Sequence, residues 1–123
     1  MSSKFYNCRD YCIDYEYDNC PREQTHTHEF LGSTKLAEEC DERHNHRFAG
    51  VTGQAIRREN SHVHEIEVRT DFFDHFHKIC ILTGPAIPVG NGKHVHLVTG
   101  MTTFVDGHRH DFIFTTLIES PLV

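Results

Sequence analysis

The sequence predicts an all-β domain of antiparallel strands, and a repeated motif, its period and the length of its connectors carry that prediction. All twelve histidines of the 123-residue chain fall in pairs of the form His-x-His. The pairs begin at His26, His44, His62, His75, His94 and His108, and their second members are His28, His46, His64, His77, His96 and His110. Four residues after each first histidine stands an apolar side chain: Phe30, Phe48, Ile66, Ile79, Val98 and Phe112. Six residues after it stands glycine or a hydrophobe: Gly32, Gly50, Val68, Ile81, Gly100 and Phe114. Eight residues after it stands threonine each time: Thr34, Thr52, Thr70, Thr83, Thr102 and Thr116. Everything shared falls on even offsets, the period of a β-strand. The odd positions (Glu29, Arg47, Glu65, Lys78, Asp111) are mostly polar, so each strand has one shielded and one wet face. A helix would scatter the same residues around its circumference.

In chain order, residues 1–24 stand outside the repeat and read as a Cys- and Tyr-rich N-terminal arm, and residues 25–123 as the six-repeat domain. Cys8, Cys12 and Cys20 of the arm lack the paired C-x2-C knuckles of a zinc site, and five cysteines do not close into a disulfide set. Three connectors are long (Lys35 to Arg43, Gly53 to Ser61, Gly84 to Lys93), and the last holds the turn signal Gly90-Asn91-Gly92. Two are short, Asp71 to Asp74 and Thr103 to Gly107, and both read Phe-Φ-Asp: Phe72-Phe73-Asp74 and Phe104-Val105-Asp106. A connector that short joins antiparallel neighbours, since a parallel crossover needs about a dozen residues. Repeats three and four, and repeats five and six, are therefore expected as hairpins. The histidine pairs of one hairpin then lie at opposite ends, roughly 25 Å apart at about 3.3 Å per residue. Consecutive pairs cannot share a ligand; partners come from a non-consecutive strand or another copy of the chain.

Composition sets further bounds. At 37% hydrophobic residues without tryptophan, a chain of one domain has a modest core, and metal or oligomerisation is expected to add to its stability. The formal charge is −6 and would reach +6 with every histidine protonated, so mild acid should destabilise the chain. The acidic balance and scattered basic residues argue against nucleic acid. The polar N-terminus and the lack of a long apolar run suggest a cytoplasmic protein, with surface or spore association as the alternative.

Two imidazoles two residues apart on one strand face can grip one ion, and neutral imidazole suits Fe, Ni, Zn and Cu. All twelve histidines are thus candidate metal ligands. Two pairs make a four-nitrogen site; three pairs, one from each chain of a symmetric trimer, make a six-nitrogen site with no open position. A saturated site is structural or sequestering, because catalysis at a metal needs a vacant or water-filled position. The trimer is the favoured partner arrangement, with a fibre as the alternative. Stability should then fall between about pH 7 and 5, where protons compete for the ligands. The acids after three of the pairs, Glu29, Glu65 and Asp111, are candidates to orient imidazoles or offset the charge of an ion. The threonines read as strand ends, and Cys80 as a packed thiol.

A competing reading is a metal enzyme: His62-x-His64 with Glu67, followed by Pro88-x-Gly90 and His94, resembles the two metal motifs of cupins, with one spacing off by a residue and four pairs unused. A metal-free β-structural or fibre-forming protein is the other. Over longer stretches, His26 to Glu38, Asp41 to Gly53 and Asp71 to His77 resemble the bacterial YmaF family as continuous phrases. That resemblance covers most of the chain after residue 24 and implies no particular activity.

Overall fold

The computed structural model describes residues 25–119. The chain there forms β1 (Glu29–Ser33), a 3-10 turn (Cys40–Glu42), β2 (Arg47–Val51), β3 (Ile56–Arg58), β4 (Ser61–Val63), β5 (Glu65–Arg69), β6 (Lys78–Leu82), β7 (Ala86–Gly90), β8 (Lys93–Met101) and β9 (Asp111–Thr115). The arm with Cys8, Cys12 and Cys20 lies outside the described residues. No described helix is long and apolar enough to cross a membrane.

Each repeat builds one strand, and the six strands pair as three antiparallel hairpins. Hairpin one is β1 with β2, hairpin two β5 with β6, and hairpin three the second half of β8 with β9. Hairpins two and three are those expected from their short connectors. Hairpin one forms across a long connector because that connector folds on itself: Ala37 and His44 exchange backbone hydrogen bonds of 2.9 and 3.1 Å around the 3-10 turn. The other long connectors supply the extra strands. β3 and β4 pair across Glu59 (φ 55°), and β7 pairs with the start of β8 across Gly90, Asn91 and Gly92, all at positive φ. Two glycines there remove the steric cost of that backbone region.

The even offsets point inward as expected. Phe30, Phe48, Ile66, Ile79, Val98 and Phe112 form the buried core, with Val68, Ile81 and Phe114 packed against it. The register explains why the sixth offset alternates between glycine and a hydrophobe. Gly50 lies opposite Phe30, Gly32 opposite Phe48 and Gly100 opposite Phe112, whereas Ile66 faces Ile81 and Val98 faces Phe114. A cross-strand pair sets one phenylalanine against a glycine, or joins two large side chains, as throughout hairpin two and at Val98 with Phe114. A Cβ on Gly50 would stand 2.9 Å from Phe30 Cζ, so the glycine is demanded by volume rather than by backbone conformation.

The residue after each threonine ties the hairpins into a ring. At one end, the backbone N–H groups of Gly53, Gly84 and Leu117 donate to the carbonyls of Glu65, Leu97 and Glu29, each bond 2.9 Å long. These bonds run from hairpin one to two, two to three and three to one. At the other end Lys35, Asp71 and Thr103 donate to Asp111, Arg47 and Lys78, at 2.8, 2.9 and 2.9 Å, and close a second ring. Three hairpins of a single chain thus supply the threefold arrangement that the sequence suggested for three copies.

Candidate metal centres

The hairpin geometry sorts the histidines by repeat number. Repeats one, three and five bring His26, His28, His62, His64, His94 and His96 to one end, the odd pole. Repeats two, four and six bring His44, His46, His75, His77, His108 and His110 to the other, the even pole. All twelve candidate residues are therefore assembled, and the sequence argument that pairs of one hairpin cannot meet holds.

At the odd pole, the candidate ligand atoms of all six histidines lie within 4.8 Å of one another. Neighbouring Nε2 atoms stand 3.1 Å (His26 to His62), 3.1 Å (His28 to His94) and 3.0 Å (His62 to His94) apart. Each ring stands edge-on to the others of its cluster save one. His26 is across the centre from His96, His28 from His62, and His64 from His94; every other pair has ring centroids between 4.5 and 5.2 Å. That is an octahedron. The first histidines form one triangular face and the second histidines the opposite one.

The even pole repeats the arrangement. The ligand atoms of His44, His75, His77, His108 and His110 lie within 4.8 Å of one another, and His46 takes the sixth corner with Nε2 3.3 Å from His75 Nε2. The pairs across the centre are His44 with His77, His46 with His108, and His75 with His110; the remaining rings are edge-on at 4.8–5.1 Å. Edges of 3.0–3.3 Å put the centre of such an octahedron about 2.1–2.3 Å from each nitrogen, beside about 2.0–2.1 Å for a zinc–imidazole bond.

Backbone carbonyls set which nitrogen faces the centre. The Nδ1 of every second histidine meets the carbonyl of a residue that follows a threonine: His28 with Leu117 (2.8 Å), His64 with Gly53 (2.9 Å), His96 with Gly84 (2.8 Å), His46 with Asp71 (3.1 Å), His77 with Thr103 (2.8 Å) and His110 with Lys35 (2.9 Å). A carbonyl only accepts, so Nδ1 carries the proton and Nε2 presents a lone pair inward. Converging lone pairs cannot satisfy one another. Among the described residues, the fully buried His64 Nε2 and His96 Nε2 have no hydrogen-bond partner. Orphaned buried acceptors aimed at a common point are the signature of a cation-binding arrangement.

The threonines do more than end strands. Each Oγ accepts the backbone N–H of the second histidine on the partner strand, at 3.0–3.1 Å: Thr52 from His28, Thr34 from His46, Thr83 from His64, Thr70 from His77, Thr116 from His96 and Thr102 from His110. One hydroxyl thereby fixes the backbone of the ligand opposite, while the next residue's carbonyl fixes a ligand on the adjacent hairpin. This positioning role was missed in the sequence, although the threonine at the eighth offset of every repeat was the signal for it.

The acids singled out in the sequence take no such part. Glu29, Glu65 and Asp111 sit at odd offsets, so their side chains lie on the outer face and only their carbonyls join the rings. Carboxylates reach the imidazoles from elsewhere: Glu119 to His94 Nδ1 (3.2 Å), Glu38 to His108 Nδ1 (2.9 Å), Asp71 to His46 Nδ1 (3.4 Å), and Asp106 and Asp74 to His75 Nδ1 (3.6 and 3.9 Å). Glu67 of the cupin-like constellation is exposed, on the opposite face of β5 from Ile66, and the period of two keeps it out of the cluster. Cys80 is in a disulfide rather than a packed free thiol, and Cys40 is free and exposed.

Burial holds the inner histidines neutral. It pushes the imidazole pKa of His64 down to about 3 and those of His26, His96 and His110 down to about 4, with neighbouring imidazoles adding to the effect. His28, His46, His62 and His77 are lowered as well, again chiefly by burial. Neutral imidazole is the form that ligates a metal.

Comparison with known proteins found no match among curated proteins and none among solved structures. One family model matches residues 23–118, most of the chain, under the description "Spore germination protein GerY/YamF". The described part of the match carries the three hairpins and both histidine clusters, and the chain belongs to the YmaF family.

Proposed function

We propose that the chain is a metal-held scaffold in which each pole clamps one divalent first-row transition ion through six neutral imidazoles. The observation that supports this reading is the octahedral convergence of six imidazoles at each pole, with the Nδ1 of the second histidine of every pair committed to a backbone carbonyl so that its Nε2 lone pair faces the centre. Six nitrogens favour an ion content with six-coordination, such as Fe(II), Co(II) or Ni(II). Zinc in structural sites prefers four ligands, and Cu(II) prefers a tetragonal set. A filled octahedron leaves no position for substrate or water, so the role is structural or sequestering rather than catalytic. Each ion would join all three hairpins, adding to a small core the binding energy that an apolar interior of this size lacks. Both clusters are complete within one chain, so a homo-oligomer has no ligand to contribute. The family description concerns spore germination, and a metal-held scaffold is the contribution we assign to this chain in that setting.

The test is titration of metal-free chain with Fe(II), Co(II), Ni(II) and Zn(II) separately, followed by elemental analysis after gel filtration. Retention of one ion per pole, with octahedral metals held against a chelator that strips zinc, supports the reading. A chain that retains none of them sinks it.

A further inference from the structure

The two poles share one ligand set, but the charge around them differs. Among the described residues, the odd pole has a single carboxylate on its imidazoles, Glu119, 3.2 Å from His94 Nδ1. The even pole has four: Glu38 on His108, Asp71 on His46, and Asp74 with Asp106 on His75. Three of those four are held in an unusual backbone state. Glu38, Asp74 and Asp106 have φ of 72°, 73° and 55°, the left-handed region that non-glycine residues seldom occupy. Aspartate tolerates it better than most residues; glutamate has no such excuse. Each of these three carboxylates lies within 4 Å of an imidazole Nδ1 of the one cluster. The Phe-Φ-Asp connectors fall into place with it: each ends in the aspartate that reaches His75. Among the described residues the buried His75 Nδ1 has no hydrogen-bond partner, and the two carboxylates stand 3.6 and 3.9 Å from it.

A carboxylate behind a metal-bound imidazole raises the basicity of the ligand and favours the higher charge on the ion. Glu38 is the one of the four mostly withdrawn from water, at 26% exposed; Asp71, Asp74 and Asp106 are 56–81% exposed, so water screens each of them and their effect on the cluster is that of their summed charge. Resting on the reading of the clusters as six-imidazole metal centres, we propose that the even pole is a one-electron redox centre: it holds its ion as M(III) at potentials where the odd pole keeps M(II). The step is a plain electron transfer. An M(II) ion at the even pole gives one electron to a one-electron acceptor and becomes M(III), and no metal–nitrogen bond is made or broken. Saturated coordination suits this chemistry, because the ligand sphere is the same before and after.

The experiment uses the full chain loaded anaerobically with ferrous iron, titrated with ferricyanide under potential control, the ferric fraction being read by electron paramagnetic resonance and Mössbauer spectroscopy. The expected result is two one-electron steps in which the ferric-to-ferrous ratios of the poles differ at least tenfold at any fixed potential, a separation of at least about 59 mV. Asp74→Asn with Asp106→Asn, both at exposed side chains, should raise the lower step and leave the upper one in place. Glu38→Gln is the second variant and should move the same step in the same direction. His26→Ala with His62→Ala, which leaves the even pole intact, assigns the surviving step to that pole. Two irons that oxidise together, steps that shift together in the aspartate variant, or iron that ferricyanide oxidises at neither pole would overturn the inference while leaving the metal clamp standing. A chain that binds no iron, cobalt or nickel would overturn both.

Discussion

Replacing Thr83 by valine tests the link between the repeat's threonine and the ligand it positions. Valine keeps the shape and removes the hydroxyl. The Thr83 Oγ accepts the His64 backbone N–H at 3.1 Å and donates to the Gly84 carbonyl at 2.9 Å, in a site buried to about a twentieth of full exposure. The Gly84 carbonyl keeps its bond from His96 Nδ1 at 2.8 Å, so it is not orphaned. The His64 N–H is orphaned, at a cost of about 1–3 kcal/mol for an unsatisfied buried donor, offset in part by about 0.8 kcal/mol for the methyl gained. Thermal unfolding of the metal-free chain should shift down by about 4–8 °C for each kcal/mol lost. Because the hydroxyl positions a ligand of the odd pole only, affinity there should also fall, by about 10- to 100-fold on the pattern of other outer-shell partners, while the even pole loads as before. Calorimetric unfolding and competitive metal titration read the two effects, with Thr83→Ser as the variant that keeps the hydroxyl. Unchanged unfolding together with unchanged odd-pole affinity in Thr83→Val would refute the assignment.

Further outcomes follow from the same geometry. Gly50→Ala places a Cβ 2.9 Å from Phe30 Cζ and should destabilise the chain by about 1–3 kcal/mol with or without metal, read by denaturant midpoints, while both poles still load. His62→Ala with His64→Ala should abolish loading at the odd pole and spare the even one, halving the metal content found by elemental analysis. Mild acid should unfold the metal-free chain. The folded pKa of His64 is about 3 and those of His26, His96 and His110 about 4, all below the unfolded value, so stability is full above about pH 6.5 and is lost as pH falls toward 4. Each of these histidines takes up a proton on unfolding below about pH 6.5, so stability falls further as more of them titrate. A circular dichroism titration that found the metal-free fold as stable at pH 5 as at pH 7.5 would contradict this.

The strands and the sorting of the histidines could be read from local pattern alone. A period of two put His28, Phe30, Gly32 and Thr34 on one face, and the short connectors after Thr70 and Thr102 forced antiparallel neighbours with their pairs at opposite ends. What the sequence could not disclose was non-local. Hairpin one closes over a connector long enough for other paths, and its closure depends on the exchange between Ala37 and His44. The threefold arrangement within one chain depends on the bonds from Gly53, Gly84 and Leu117 to the next hairpin, which no spacing announces. Glu29, Glu65 and Asp111 misled because adjacency in sequence puts a side chain on the opposite face of a strand. Glu38, Asp74 and Asp106 went unnoticed because they lie in the connectors, where no repeat position marks which side chain reaches an imidazole.

The most direct measurement is X-ray absorption at the metal edge of chain loaded with iron or nickel and freed of excess ion. Six nitrogen neighbours at about 2.1–2.3 Å with the outer-atom pattern of imidazole are expected, at a content of one ion per pole. Four neighbours, or oxygen in the first sphere, would contradict a saturated octahedral clamp and return the clusters to packing or catalysis.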